Sequence, residues 1–394
     1  MLAELQHARP RGRARRDTRP VFLLRPEVTE TRFPETYGSS IDGAVLLGRL
    51  VADGRQAGSD PRDEETADAE IPDELARVAR RNHVLHLHDP DTPVLPHLTS
   101  HEDARASRAC RMAAALAVDL PLRAEALRDP VIAERFVRAT LRPQVDVTHP
   151  APPYFQFDAL DDGWLEANLS SIRIARRLRP GKRLAIFVRG SMDALVSGAL
   201  ASAALRYSQV LPEGALVFLG VAGLHPEESA PEVLAQYLRV VEAFDDAGFD
   251  VVADRVDALA PAAVAFGAVG AAGGTRIYRT IPPTPFWENE YSVKVLVKYL
   301  CPVRGDRMRS DVARKRLGRG SIEPCPVTGC SALDEPLENA DLRSHHGHLT
   351  QHELTQARER GVDWVARRYE NSPIKAVRVL GHAVRLARRR SAEA

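Results

Sequence analysis

RLAIFVRGSMDALVSGALASAALRYSQVLPEGALVFLGVAGL, residues 183–224, decides the fold. It opens on RLAIFVRG, an apolar strand ending at Arg189 and Gly190, passes through a helical pattern from Met192 to about Tyr207, and closes on GALVFLGVAGL, a second apolar strand. Strands that are apolar without a polar alternation are buried on both faces, and a helix joining two of them is the crossover of a parallel pair. The same texture extends in both directions. Upstream, HVLHLHDPDTPVL is a strand from His83 that stops at Asp89 and Pro90, and Ser100 with Asp103 forms a capping box for a helix over 104–118. RAEALRDPVIAERFVRATL then reads as helix, and VDVTHPAPPYFQF as one or two short strands with a Pro-rich bend. Downstream, a helix starts at Ser229, with Pro231 in its first turn and Glu232 three residues on, and runs to about Phe244. FDVVADRV, an Ala-rich helix, RIYRTI and YSVKVLVKYL follow. Seven or eight such strands alternating with helices predict a TIM-like (β/α)8 barrel, and no G-x-G-x-x-G after the first strand argues against a dinucleotide-binding open sheet.

The chain has 394 residues, 44% of them apolar, enough for a large core. Its 54 basic and 53 acidic residues nearly cancel, so bulk charge calls for no polyanionic partner. No stretch approaches the roughly 20 apolar residues of a membrane span, and the basic start lacks the apolar run of a secretory signal, so the expectation is a cytoplasmic protein with no membrane partner. Residues 1–20 read as a disordered basic arm and 52–74 as an acidic linker. Between them, 21–51 is expected as a small docking segment, with VFLLRPEV a strand and IDGAVLLGRLV a helix. The barrel is expected over 75–300 and a C-terminal extension over 301–394.

Barrel chemistry sits at the carboxyl ends of the strands. Those ends offer His88, Asp89 and Asp91, then Asp146 and His149, Arg189, Gly223 and His225, Asp254 and Arg255, and Arg276 and Arg279. Asp89 and Asp254, each ending a long apolar strand, are the candidate catalytic carboxylates, and Arg189 and Arg279 the candidate anion contacts.

A second constellation lies near the C-terminus. CPVTGC places Cys325 and Cys330 across a turn, and His345, His346, His348 and His352 follow. Thiolate and imidazole offered around a short loop suit tetrahedral Zn2+ in a closed, structural site, with Cys325, Cys330, His348 and His352 as the expected ligands. Thr350 and Glu353, in capping-box spacing, predict a helix starting beside them. Cys301 is a possible replacement ligand and Cys110 reads as a core residue.

A barrel followed by such an element resembles the tRNA-guanine transglycosylases, which insert 7-deazaguanine bases into nucleic acid. Cys325 and Cys330 match the outer cysteines of that family's C-x-C-x2-C pattern, with Val327 at the middle position. LGVAGLHPEES, 219–229, is similar to the family's base-pocket loop, with Ala222, Gly223 and Leu224 at the matching positions and His225 beside them. Residues 249–281 correspond to the region of the nucleophilic aspartate, yet AFGAVGAAGGTRIYRTIPPT contains no carboxylate. The resemblance implies a protein that binds tRNA or DNA, or a small purine, and exchanges or cleaves a glycosidic bond. The unmatched aspartate implies instead a catalytically silent scaffold of the same ancestry. Two basic segments, 304–320 and the amphipathic 372–390, are candidate phosphate-backbone contacts. A third expectation, from Arg189-Gly190-Ser191 and the Gly-rich turn before Arg276, is a metal-independent barrel acting on a phosphorylated small molecule.

Overall fold

The computed structural model describes residues 18–26, 32–47, 75–97, 116, 118–144, 147–274, 280–283, 299–300, 307–319, 325–327 and 339–391. Eight parallel strands form one sheet: β1 (Val21–Leu24), β2 (Gly43–Leu47), β3 (His86–Asp89), β4 (Gln156–Phe157), β5 (Ala185–Gly190), β6 (Leu216–Val221), β7 (Asp250–Asp254) and β8 (Gly270–Gly273). Their order is β3-β2-β1-β8-β7-β6-β5-β4, so the first strand lies beside the last and the sheet curls into the expected TIM-like (β/α)8 architecture. Between them run α1 (Phe33–Tyr37), α2 (75–81), α3 (Pro130–Leu141), α4 (Trp164–Leu178), α5 (Met192–Val196), α6 (Ala199–Ser208), α7 (Pro231–Asp246) and α8 (Ala260–Ala265). Two longer helices close the chain, α9 (Asn339–Glu370), kinked at Gly361 with φ +73°, and α10 (Lys375–Ser391).

Period-two alternation sorts each strand between two cores. Leu23, Val45, Leu87, Phe187, Phe218 and Val252 point into the barrel and pack together. Their neighbours Leu24, Leu46, Ile186, Val188, Val217, Leu219 and Val251 pack outward under the helices. This two-sided burial explains why the strands read as unbroken apolar runs.

Among the described residues only one consecutive pair of strands, β3 and β4, shares no backbone ladder. Side chains bridge that seam instead. Thr92 Oγ1 accepts from the Tyr154 N–H at 2.9 Å and donates to the Tyr154 carbonyl at 2.5 Å. The Tyr154 hydroxyl in turn donates to Asp89 Oδ1 at 2.7 Å.

Several expectations change. Residues 21–51 are not a docked appendage: β1 pairs with both β2 and β8 inside the barrel. IDGAVLLGRLV, expected as a helix, supplies strand β2, because a short apolar run fits either element and the vacant place beside β1 settles it. β8 is GAAG, within the stretch read as a Gly-rich turn. A Cβ on Gly270 would stand 2.1 Å from the Val21 carbonyl oxygen, so glycine is what lets β1 and β8 approach. The helix expected from Ser229 begins at Pro231, and the Ser229 hydroxyl accepts from the His225 N–H at 3.2 Å rather than capping. The helix expected over 192–207 is broken at Gly198, φ +82°.

The C-terminal helices belong to the outer ring rather than to a separate lobe. Val377, Leu380, Val384 and Ala387 form the buried face of α10, as their spacing predicted, and each buried Val or Leu contributes ~1.5–3 kcal/mol. Two cations of its basic face are paired within the chain, Arg385 with Asp363 and Glu370, and Arg388 with Asp363. Residues 304–320 include helix Ser310–Gly318, which follows a short antiparallel pair of Tyr299–Leu300 with Arg307–Met308. The basic arm and the acidic linker, apart from 18–20, lie outside the described residues, as does nearly all of the helix expected over 104–118. No helix among the described residues is long and apolar enough to cross a membrane.

Candidate functional site

Two residues beyond each inward apolar side chain, the alternation brings the next side chain into a layer at the carboxyl end of the barrel. Leu23 is followed by Arg25, Leu87 by Asp89, Phe187 by Arg189, Phe218 by Gly220 and Val252 by Asp254. One layer therefore holds two guanidinium groups and two carboxylates, none more than 3% exposed.

Arg25 is its hub. Nε and Nη2 donate to Asp254 Oδ1 and Oδ2 at 2.8 and 2.9 Å, a bidentate pair, and Nη1 donates to Asp89 Oδ2 at 2.8 Å. Asp89 also accepts from the Tyr154 hydroxyl, from the Asp91 N–H at 2.9 Å, and from Arg255 Nη2 at 3.3 Å. Four donors converge on one carboxylate. Burial alone pushes the Asp89 carboxyl up, but Arg25, Arg189, Arg255 and the Tyr154 hydroxyl outweigh it and hold the group well below the usual carboxylate range. Burial pushes the Tyr154 phenol well above its ordinary value, so it stays a donor. Arg255 reaches the layer from a left-handed backbone, φ +54°, just past β7. Burial, then Arg25 and Arg189, press its pKa down.

Arg189 differs from the other two arginines. Its guanidinium lies over the Tyr154 ring, 5.1 Å from the centroid, and Nη2 is buried with no hydrogen-bond partner among the described residues. Burial works against its charge, but Tyr154, Asp89, Asp91 and Asp254 more than restore it.

The structure thus gathers Asp89, Asp254 and Arg189 from the sequence candidates, with both carboxylates engaged by the same arginine. Gly223, Leu224 and His225 follow β6 at the same end but do not join this network. Gly223, φ +81°, donates its N–H to the Ile281 carbonyl at 2.9 Å, Leu224 packs in the outer core, and His225 is half-buried. Arg276, Arg279 and Asp146 lie outside the described residues. His149, expected at a strand's carboxyl end, sits at the opposite end, because the strand of its segment is Gln156–Phe157 and the neighbouring Pro150 carbonyl accepts from Ala185, the first residue of β5. Sequence reasoning missed Arg25 and Tyr154. The signal for Arg25 was present in VFLLR, a charge two residues past an inward leucine, once that run is placed in the barrel.

For the metal, His345, His346, His348 and His352 lie along the part of helix α9 before its kink at Gly361 and not before a helix start, so Thr350 is a mid-helix residue whose hydroxyl sits 3.1 Å from His346 Nδ1. Cys325 is buried; Cys330, Cys301 and Cys110 lie outside the described residues. Among the described residues no group of three or more His, Cys, Asp or Glu side chains is placed to hold a metal ion.

No family model matches the chain, and no curated protein does. Solved structures with similarity include xylanase B from Clostridium stercorarium F9, at 13% identity over 72% of this chain and 91% of that one, with a TM-score of 0.36. Another is the Penicillium canescens endo-1,4-beta-xylanase XylE, at 12% identity over 66% and 84%, with a TM-score of 0.34. Likenesses this weak carry no argument about activity. The resemblance to the tRNA-guanine transglycosylases is corrected, since no family model and no curated protein supports that family. The segments that carried it do not assemble either: Leu224 is a core residue and the Gly-rich stretch is strand β8. The reading as a nucleic-acid or purine-binding transglycosylase, active or silent, falls with it. What fold and site define is a (β/α)8 barrel with a buried charged layer at its carboxyl end.

Proposed function

We propose that this barrel binds a small organic anion at its carboxyl end, with Arg189 as the principal contact. The observation that carries the reading is the Arg189 guanidinium, 3% exposed, stacked on Tyr154 and with Nη2 unpartnered among the described residues. A buried cation with unspent donors is costly unless something answers it, and a planar guanidinium fork matches a carboxylate or phosphate. Asp89 and Asp254 serve this site as fixed charges. Their lone pairs hold Arg25 and Arg255, Arg25 takes both Oδ atoms of Asp254, and the ionised Asp89 has no proton to give at neutral pH. A glycosidase pair needs one carboxylic acid that keeps its proton and one free carboxylate, and this pair is of another kind.

The test is thermal unfolding of the full chain with a panel of small carboxylates and phosphate esters, beside Arg189→Lys and Arg189→Met. At least one anion is expected to stabilise the wild type, with the effect lost in Arg189→Met and partly kept in Arg189→Lys. Equal stabilisation of all three proteins, or none of any, refutes the reading.

A further inference from the structure

The amino end of the barrel carries a second concentration of positive charge. Helix α4 runs out into RRLRPGKR, 176–183, where the Lys182 N–H donates to the Arg179 carbonyl at 3.2 Å across Pro180 and Gly181, φ +76°. Proline followed by a positive-φ glycine is the signature of a tight type II turn, which sets Arg179 and Lys182 side by side. Facing them is the loop 211–215, and between the two lies a cavity of about 440 Å3 walled by Arg176, Arg179, Lys182, Arg183 and one acid, Glu213.

The way these cations are held matters more than their number. Arg176 Nη1 donates to the Val210 carbonyl at 2.6 Å, and Arg179 Nη2 to the Leu141 carbonyl at 2.9 Å. Neutral carbonyls fix a guanidinium without cancelling its charge. Arg183 does have a counter-charge, Asp250, and also donates to the Gly214 carbonyl, yet its Nη1 is buried with no partner among the described residues. The field reaches a neighbour. His149 is 2% exposed with Nδ1 unpartnered among the described residues; burial first, then Arg183 and Lys182, lower its pKa to about 4.

We propose that this pocket binds the phosphate groups of a small phosphorylated molecule. Its volume falls in the ~300–1,000 Å3 range of small-molecule sites, and a concave pocket on one turn is not the extended stripe that a polymer backbone requires. A surplus of more than one positive charge matches a phosphate, which carries about −1.5 to −2 at neutral pH, better than a single carboxylate. This site is separate from the anion contact at Arg189, and it stands if that reading fails.

The experiment is isothermal titration of pyrophosphate into the full chain in 0.15 M salt, using wild type, Lys182→Gln, Arg179→Gln/Lys182→Gln and Arg189→Met. Lys182 is exposed, so its variant keeps the fold even if the double variant does not. Saturable binding is expected, weakened about tenfold or more in the double variant and several-fold in Lys182→Gln, with no change in Arg189→Met. No binding to the wild type, or binding lost with Arg189→Met and kept in Lys182→Gln, overturns the proposal.

Discussion

Arg25→Met removes three buried hydrogen bonds at one stroke while keeping an unbranched stem that can still pack on Phe187, whose ring centroid lies 5.6 Å from the Arg25 guanidinium carbon. The two carboxylates do not suffer equally. Asp89 retains the Tyr154 hydroxyl, the Asp91 N–H and Arg255. Asp254, 2% exposed, loses both of its side-chain donors among the described residues, since each came from Arg25. Removing one partner of a buried ion pair costs about 3–5 kcal/mol, and most of that falls on Asp254. Adding Asp254→Asn takes away the stranded charge, so the double variant is expected to be about 2 kcal/mol more stable than the single one. The pH dependence has a definite sign. In the wild type, Asp89 is held below the usual range, so its contribution is present above about pH 4 and is lost only on further acidification. Urea unfolding followed by far-UV circular dichroism at pH 7 and at about pH 3 measures all of this. A single variant within about 0.5 kcal/mol of wild type at pH 7, a typical surface-substitution effect, refutes the reasoning. So does a double variant less stable than the single.

Three further outcomes are expected. Gly270→Ala drives a Cβ against the Val21 carbonyl oxygen where neither backbone can yield cheaply, so it lowers stability by at least ~2 kcal/mol, read as a drop in the urea midpoint. His149, with a folded pKa of about 4 below its unfolded value near 6.5, gives stability that is full above pH 6.5 and declines as pH falls toward 4; His149→Gln should flatten that part of the profile, and a histidine-proton NMR titration of the folded protein reports the pKa directly. If Cys325, Cys330, His348 and His352 bind zinc, elemental analysis finds about one zinc per chain, lost in Cys325→Ser; a metal-free wild type removes that site.

The strands that the sequence revealed are those with bulky, β-branched or aromatic side chains on both faces. AIFVRG, LVFLGV and DVVAD read as strands because both of their sides are buried. β8 escaped notice because GAAG has no β-forming side chain, and its place is dictated by how closely β1 approaches, which is not a local property. β2 was misread for a related reason: Gly-Ala-Val-Leu-Leu fits a helix or a strand until its neighbours are known. Of the site, the ends of β3, β5 and β7 were legible as Asp89, Arg189 and Asp254. Their joining through Arg25 was not, since it spans 229 residues and depends on β1 lying beside β8.

The seam between β3 and β4 makes the girth of the barrel adjustable. Everywhere else the circumference is set by backbone ladders, whose spacing no single substitution can alter. At the seam it is set by the reach of Thr92, Tyr154 and Asp89, three side chains that point mutations can lengthen, shorten or remove. Because Tyr154 also carries Arg189 on its ring, a change of residue there would alter the girth and re-aim the proposed anion contact together. Variation in ligand size among descendants of this barrel is therefore expected to concentrate at residues 89–92 and 154, leaving the remaining seven interfaces of the sheet untouched.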